Sequence, residues 1–445
     1  MVLLNALATP MMLSASNAAL PVIGDSLQLS AVVLSWIPMA FLMTSAMCVL
    51  VAGRLADLFG RKKIFLIGTF CIIASSLLAA FSVDAVSLIT ARSLQGVSAA
   101  LNYSTQVALI SSVMPAAIRG RAIAWAITCV YIGLASGPVL GGLALDWINW
   151  RAVFLIQIPL SLAALIIGVC KVKEDWFGNR EGGVDIEGAF YYALGIATIC
   201  VAVSQLPDLR ALFIFIAGLV ILALFIKRSL RKSHPLWDLK LFFSNRIFSF
   251  SCLAAFIIYS ATYANVVLVS LYLQYLQNFS ASAAGAVMMV QPLVMALFSP
   301  FAARLAEKFE PRIVASFGMG LTGLSLLLLS TIDQGSSLWA IILPLMLTGF
   351  GFSLFSSPNV NAIMGAVSPK FFGSASATVA MMRILGQLSS MILVALCIAF
   401  VLGPVQISST HFEALNRAIQ LCFLLAAGLC VPGLISSMVR GRVHS

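Results

Sequence analysis

The sequence predicts an all-α polytopic membrane protein, and three observations support this fold class. The chain has 445 residues, of which 61% are hydrophobic and only 9% are charged, too few to cover a water-exposed surface. Apolar runs of about 20 residues, the length that crosses a bilayer, recur along nearly the whole chain. The sequence Arg-Leu-Ala-acid ends two of these runs, at 54–57 and at 304–307. Such a repeat predicts two similar halves.

The apolar runs predict fourteen transmembrane helices. In chain order they cover 2–23, 31–55, 63–83, 86–113, 121–145, 151–171, 187–205, 209–227, 247–275, 282–305, 312–331, 337–367, 373–402 and 413–437. The seventh and eighth spans stand between two polar segments that read as linkers. The predicted domains are therefore an N-terminal six-helix bundle at 1–171, a central linker with two additional helices at 172–246, and a C-terminal six-helix bundle at 247–445.

The distribution of charge predicts the orientation. Most lysines and arginines fall in alternate loops or at the adjoining span ends, and of the residues in loops and at span ends only Arg151, Arg210 and Arg417 lie on the opposite side. By the positive-inside rule, we expect a multi-pass protein of the cell (inner) membrane with both termini cytoplasmic. The net charge of +11 follows from this bias and favours anionic lipid, so it does not indicate a nucleic-acid partner.

The cysteines and histidines show no catalytic or metal-binding pattern. All nine cysteines fall within predicted spans without metal-ligand spacing, and no span pairs a histidine with an acid. We therefore expect no enzyme, no cofactor and no metal site.

The loop after the second span carries the first motif, formed by Gly53, Asp57, Gly60 and Arg61. Glycines allow close packing and a tight turn, and Asp57 can interact with a helix N-terminus or with basic neighbours. Two interpretations remain open. The loop is either a plain cytosolic anchor or a latch between the halves that breaks and re-forms.

A second motif lies in the fifth span, where Gly133, Gly137 and Gly141 are four residues apart and share one helix face. Glycines on one face let two helix backbones approach closely, and Pro138 favours a bend. Gly142 extends the motif. Tight packing follows from the spacing alone.

Two arginines, Arg92 and Arg383, fall inside spans, with Gln95 and Gln387 about one turn further on. A cation there should face a cavity or a polar partner, because exposure to lipid costs several kcal/mol. The alternatives are contacts with backbone carbonyls and snorkelling. Uncharged polar residues within the spans are, as a set, candidates for a wet cavity, although each taken alone more often makes a helix-packing hydrogen bond: Asn17, Asn102, Gln106, Gln157, Asn265, Gln291, Asn359 and Asn361.

These motifs resemble those of a known family. Residues 53–62 resemble the signature loop of the major facilitator superfamily, and residues 92–96 resemble its span-four motif. Residues 133–142 resemble the antiporter motif of its drug-exporting branch, and residues 150–159 resemble the start of span six in the fourteen-helix drug:proton antiporters. The resemblance implies the major facilitator fold, with two six-helix bundles plus two extra central helices, and the latch interpretation of the first motif.

The first span departs from this pattern, because Met12 stands where the relatives commonly carry an aspartate. Of the fifteen acids, Glu187 and Glu413 stand at the first residue of a predicted span and the other thirteen lie outside the spans, so none falls in a span's interior. We expect a secondary active transporter that exports small amphiphilic compounds (a drug, siderophore or lipid-like metabolite) by alternating access with proton coupling. The alternative is an importer or facilitator of an anionic or neutral metabolite, without a buried carboxylate for the proton. The expected partners are a small-molecule substrate, protons and membrane lipid. We expect the protein to be a monomer, and whether it also binds a periplasmic adaptor protein is left open.

Overall fold

The computed structural model describes residues 1–178, 183–205, 208–233, 235–237, 239–367, 372–403 and 405–441. Within these ranges the chain is helical almost throughout, and extended pairing is limited to an isolated bridge between Ser30 and Gln406. Residues 179–182, 206–207, 234 and 238 of the predicted linker lie outside the described residues. The side chain of Glu307, the acid of the second repeat copy, also lies outside them.

The helices fall into three groups along the chain. The first comprises α1 (Val2–Ala18), α2 (Leu20–Ser26), α3 (Ala31–Phe59), α4 (Arg61–Ala80), α5 (Ala85–Val113), α6 (Ala116–Trp147), α7 (Ala152–Leu155) and α8 (Ile158–Cys170). The second comprises α9 (Ile186–Ser204), α10 (Leu209–Arg231) and α11 (Leu239–Ser244). The third comprises α12 (Arg246–Thr262), α13 (Asn265–Leu271), a π-helical turn (Tyr272–Leu276), α14 (Ala281–Met288), α15 (Val290–Lys308), α16 (Pro311–Leu329), α17 (Trp339–Gly365), α18 (Phe372–Val401), a 3₁₀ turn (Ser409–His411) and α19 (Phe412–Val439).

Every predicted span coincides with one of these helices or with a broken pair. In the described part, twelve helical segments are long and apolar enough to cross a membrane, and there are thirteen if α1 and α2 form one span bent by 54°. The remaining helix, α5, has 29 residues but is less apolar. The multi-pass membrane architecture is thus confirmed, while the number fourteen remains a prediction.

Local sequence explains where the helices begin and break. The side chains of Ser30, Asp84 and Asn245 each accept a hydrogen bond from a backbone N–H in the first turn of α3, α5 and α12. Such caps satisfy donors that have no partner inside the helix. Pro21 in the first turn of α2 lacks an N–H and cannot continue α1, which accounts for the bend.

The helices pack as two bundles with a peripheral pair. The first bundle contains α1 to α8 and the second contains α12 to α19, while α9 and α10 pack against each other. One face of α9 contacts both α3 and α18, one helix from each bundle. Most of α10 is exposed, as expected for a helix that faces lipid.

Candidate functional site

A cavity lies between the two bundles. It has two adjoining chambers, with about 140 and 220 Å³ open to water molecules. Helices α1, α5 and α6 line it from the first bundle, and α12, α15, α17 and α18 line it from the second. Both chambers share six lining residues: Tyr103, Gln106, Val130, Tyr131, Tyr259 and Arg383. The site is thus assembled from both halves of the chain.

Backbone contacts join the halves at the end that is predicted to face outwards. Ser30 pairs with Gln406 in the isolated antiparallel bridge, and the N–H of Ala31 donates to the carbonyl of Val405 at 2.9 Å. The amide of Gln406 also donates to the side chain of Gln28 at 3.0 Å. These contacts connect the loop before α3 with the loop after α18.

Two carboxylates make further contacts between the halves at this end, and we call all of these contacts together the outer closure. Asp146, at the end of α6, accepts from the backbone N–H of Ser282 at the start of α14 at 3.3 Å. Asp25 accepts from the hydroxyl of Tyr275 at 2.9 Å. The second chamber extends in the opposite direction, towards Ile110, which lies near the predicted cytosolic end of its helix. The cavity is therefore closed at one end by contacts between the halves.

Five of the predicted candidates line the first chamber: Asn17, Gln106, Gln291, Arg383 and Gln387. The amide of Asn17 donates to the hydroxyl of Tyr263 at 3.3 Å, which links α1 to α12. Asn265 lies behind Gln291 and donates to its side-chain oxygen at 3.4 Å. The guanidinium of Arg383 lies over the ring of Tyr103, with 5.2 Å to the ring centroid.

Arg92 belongs to a different environment. It is fully buried within the first bundle and lines neither chamber. Its Nη1 donates to Oε1 of Gln95 at 2.8 Å, and its Nε donates to the carbonyl of Ile37 at 3.3 Å. Its Nη2 has no hydrogen-bond partner within the described residues. In this conformation Arg92 is held by uncharged groups and is separated from the cavity.

The network around Arg92 continues across α4 to α8. The amides of Gln95 and Gln157 both donate to the hydroxyl of Ser76, at 3.0 and 2.6 Å. Asn102 lies in a second buried group, where it accepts from the hydroxyl of Thr69 at 3.3 Å. These residues therefore tie the helices of the first bundle to one another, and none of the three predicted candidates among them lines either chamber.

Met12 is buried directly beside Arg92. Its sulfur lies 3.4 Å from Nη1 of the guanidinium. The aspartate that relatives commonly carry at this position would thus adjoin the buried cation. In this chain a thioether, which is only a weak acceptor, takes its place.

The loop motif forms a compact local structure. Asp57 and Arg61 make a salt bridge of 2.8 Å, and Arg61 also donates to Ser112 at 2.7 Å. Gly60 has a φ of +109°, a conformation that other residues rarely adopt. Asp175 accepts from the backbone N–H of Lys62 at 2.8 Å and so caps the start of α4. The sequence analysis missed Asp175, although an acid just after the sixth span was a usable signal.

The glycine motif packs on two different partners. A Cβ atom on Gly137 would come within 2.5 Å of the carbonyl oxygen of Met11 in α1. A Cβ atom on Gly142 would come within 2.5 Å of Cα of Ser282 in α14. The spacing predicted one packed face, whereas α6 uses glycines against its own bundle and also against the opposite one.

Tyrosines are the feature that the sequence analysis did not single out. Tyr103, Tyr131, Tyr259 and Tyr263 all line the cavity, and the hydroxyl of Tyr131 donates to Ser356 at 3.2 Å across the two halves. A tyrosine in the middle of an apolar span needs a partner for its hydroxyl, and this was the available signal. Arg440 was also missed as a buried group. It is fully buried at the end of α19 and donates to Asn359 at 2.7 Å.

The lining of the cavity is almost uncharged. Of the described residues that line the two chambers, Arg383 alone is charged. Within the described part of the chain, no cluster of histidine, cysteine or acidic residues could hold a metal ion.

Comparisons with known proteins agree with this architecture. Residues 2–251 and 250–443 each match the Major Facilitator Superfamily. The chain is 28% identical over 419 residues to the riboflavin transporter RibZ of Clostridioides difficile, covering 94% of this chain and 91% of that protein. It is also 28% identical over 379 residues to the multidrug resistance protein Stp of Mycobacterium tuberculosis, covering 83% and 70%. A solved peptide transporter POT in complex with sulfate shares the fold, with a TM-score of 0.70, 14% identity and coverage of 97% and 93%.

Proposed function

The chain belongs to the Major Facilitator Superfamily, and on this premise we propose that it exports small amphiphilic compounds by alternating access. It is a membrane transporter rather than an enzyme. The observation that carries the proposal is the cavity between the halves, which is closed at one end by Ser30–Gln406 and Asp146–Ser282 contacts. Alternating access requires that such contacts break while others form at the opposite end.

Export is the direction that the glycine motif and several relatives support. Gly137 and Pro138 match the antiporter pattern, and relatives include proteins named for multidrug resistance. We further propose that the chain is a member of the fourteen-helix drug:proton antiporters, with α9 and α10 as the two additional central helices. We propose a latch role for the Asp57 loop, since Asp57 lies beside a gap that is also lined by Thr378 of the opposite bundle.

Proton coupling in this proposal uses carboxylates at helix ends, because no described lining residue of the chambers is acidic. Asp25 and Asp146 at the outer closure and Asp57 in the loop motif are the candidates. Each accepts hydrogen bonds from a neighbouring group, so protonation would weaken that contact.

We also propose the topology that the charge pattern predicts. Both termini are cytoplasmic in the cell (inner) membrane, the domains are divided at 171 and 247, and the protein acts as a monomer. Thiol labelling of cysteines that replace Lys62 and Lys232, in a variant without its native cysteines, tests the orientation. The two positions should be labelled from the same side of the membrane.

The experiment that tests export uses proteoliposomes with an imposed pH gradient. A panel of fluorescent amphiphiles of different charge is offered, and accumulation is compared with and without the gradient. Gradient-driven accumulation of at least one compound is expected. Equilibration without accumulation would instead support the second candidate function.

That second candidate is a facilitator or importer of a neutral or anionic metabolite. It is favoured by the absence of acids among the described lining residues and by the likeness to a riboflavin transporter over nearly the whole chain. Riboflavin itself should be included in the same panel, because its transport in either direction separates this candidate from a general exporter.

A further inference from the structure

We propose that the transported substrate is a planar aromatic monoanion whose carboxylate pairs with Arg383. The inference rests on the proposed transport function and names its substrate class. It is carried by three observations: an arginine in the cavity that makes no hydrogen bond or salt bridge with the described residues, the absence of acids from the described lining, and a group of tyrosines that line the same cavity.

Arg383 is placed where a ligand would meet it. It lines both chambers and therefore lies where they join. Within the described residues its guanidinium makes no hydrogen bond and no salt bridge, and the ring of Tyr103 at 5.2 Å is its aromatic contact. A guanidinium presents several donors in a planar fork that matches a carboxylate.

The protein supplies no counter-charge in the described lining. None of the described residues that line either chamber is an aspartate or a glutamate, and the first span has Met12 in place of the relatives' acid. A cation in a low-dielectric cavity gains most from an anion that enters with the substrate. Since Arg383 is the single charged side chain of that lining, one negative charge is matched and a second would remain unpaired.

Arg92 does not compete for this role in the present conformation. It is fully buried and already donates to Gln95 and to the carbonyl of Ile37, whereas Arg383 is only partly buried. The anion-binding function that the sequence suggested for a membrane arginine is therefore assigned to Arg383.

The aromatic part of the substrate follows from the aromatic side chains that line the cavity together with the arginine. Tyr103, Tyr131, Tyr259 and Tyr263 line the cavity, and Phe352 packs edge-on against Tyr259 with 5.3 Å between the ring centroids. Tyrosine combines an apolar ring face with a hydroxyl, so it can stack on a planar ring and still donate to an oxygen atom. A lining of this kind suits an aromatic acid better than an aliphatic one.

Three probes that share one ring test the proposal. They are 1-naphthoate, 1-naphthamide and 1-naphthylmethylammonium, with charges of about −1, 0 and +1 at neutral pH. Binding to the purified full chain is measured by isothermal titration calorimetry. We expect 1-naphthoate to bind at least about tenfold more tightly than the other two, the size of a charge-assisted hydrogen bond.

Variants then locate the anion site. Arg383→Gln should remove the preference for 1-naphthoate, and Arg383→Lys should keep only part of it because the planar fork is lost. Arg417→Gln is the matched control, since Arg417 is exposed at the predicted outer surface and pairs with Glu413. This control should keep the full preference.

Each outcome decides a separate question. Equal binding of the three probes by the parent, a preference for the ammonium, or a preference that survives in Arg383→Gln overturns the anion assignment. The parent's own preference and Arg383→Lys remain decisive if Arg383→Gln does not fold. Failure of the whole amphiphile panel in proteoliposomes would contradict transport itself, whereas transport of neutral or cationic compounds alone would contradict only the substrate class.

Discussion

At the scale of single residues, the two membrane arginines lie in different environments, because Arg92 is buried within the first bundle and Arg383 lines the cavity. Arg92 and Tyr103 lie about three turns apart on α5 and so share a helix face, with Arg92 about 16 Å nearer the outer end. Tyr103 reaches the cavity, whereas Arg92 lies at the level where the bundle is packed. The position of a polar residue along α5 therefore determines whether it can contact a ligand in the cavity.

Met12→Asp should be tolerated because it places a carboxylate beside a buried cation. The sulfur of Met12 is 3.4 Å from the Arg92 guanidinium, so the new acid would form a buried ion pair. Met11→Asp is the control, since Met11 is also buried and its backbone packs against Gly133 and Gly137 of α6. There an unpaired charge should cost several kcal/mol.

The melting temperatures of the two variants in detergent provide the measurement. Met12→Asp should melt close to the parent, and Met11→Asp should be strongly destabilised or fail to accumulate. Equal damage from both substitutions would mean that Arg92 does not act as a partner for an acid at position 12.

At the scale of elements, α6 is held by close backbone contact on two sides. Gly137 packs on α1 of its own bundle, and Gly142 packs on α14 of the opposite one. The same helix therefore links the internal packing of one half with the seam between the halves.

Gly137→Ala should destabilise the protein by about 1–3 kcal/mol, the usual cost of overpacking. Its Cβ would come within 2.5 Å of a backbone carbonyl, which cannot move aside as a flexible side chain can. Gly428→Ala is the control, because a Cβ there meets nothing within 4 Å, and it should gain up to about 1 kcal/mol from helix propensity. Chemical or thermal unfolding of both variants tests the contrast, and a neutral Gly137→Ala would contradict the tight contact.

Salt bridges join the start of α9 to the end of α10. Burial by itself raises the pKa of Asp185, but Lys232 at 2.6 Å, the N–H of Gly188 and Arg228 outweigh it and hold the pKa below its usual value. A lowered folded-state pKa means that the stabilisation is present above the unfolded pKa of about 4 and is lost as the pH falls through the folded one.

Asp185→Asn should therefore lower the unfolding free energy by about 1–2 kcal/mol near neutral pH, with a difference from the parent that shrinks in acid. Melting temperatures between neutral and strongly acidic pH would show this convergence. Glu187→Gln removes only an exposed partner of Arg228 and should have little effect at any pH. A constant difference for Asp185→Asn across the whole pH range would contradict the ionic origin.

The sequence alone predicted the helices, but it identified only some of the residues that line the cavity. Apolar runs near bilayer length placed α3, α4 and α16 to within a few residues, because burial in lipid demands such runs. They did not separate Arg383, which lines the cavity, from Arg92, which is packed within its own bundle. That distinction depends on which end of the molecule is closed, and closure arises from contacts between residues far apart in the chain.

At the scale of the whole molecule, two bundles meet across a cavity and one end is closed. The closed end combines a backbone bridge with the Asp146–Ser282 and Asp25–Tyr275 contacts. At the side of the molecule, α9 touches α3 and α18 and so covers one seam between the bundles. Under the proposed alternating access, the two halves would move relative to each other beneath a helix that contacts both.

Asp146→Ala should loosen the outer closure. It removes the acceptor at the first turn of α14, where a carboxylate is favoured by the helix dipole. Hydrogen–deuterium exchange of the backbone around Ala31, whose N–H bonds to Val405, should become several-fold faster. Asp208→Ala is the control, because Asp208 caps α10 and does not join the bundles. Unchanged exchange in Asp146→Ala would show that this carboxylate is not part of the closure.

The bridge between Ser30 and Gln406 has a consequence for mutational tolerance. Its central hydrogen bond joins two main-chain atoms, the N–H of Ala31 and the carbonyl of Val405, so most side-chain replacements leave it intact. Proline at position 31 is the exception, because it lacks the N–H. Ala31 is the first residue of α3 and Ser30 is already extended, so the helix itself would accept that proline. Substitutions at the exposed positions of this segment therefore leave the bond intact, whereas proline at position 31 would remove it without disturbing the helix.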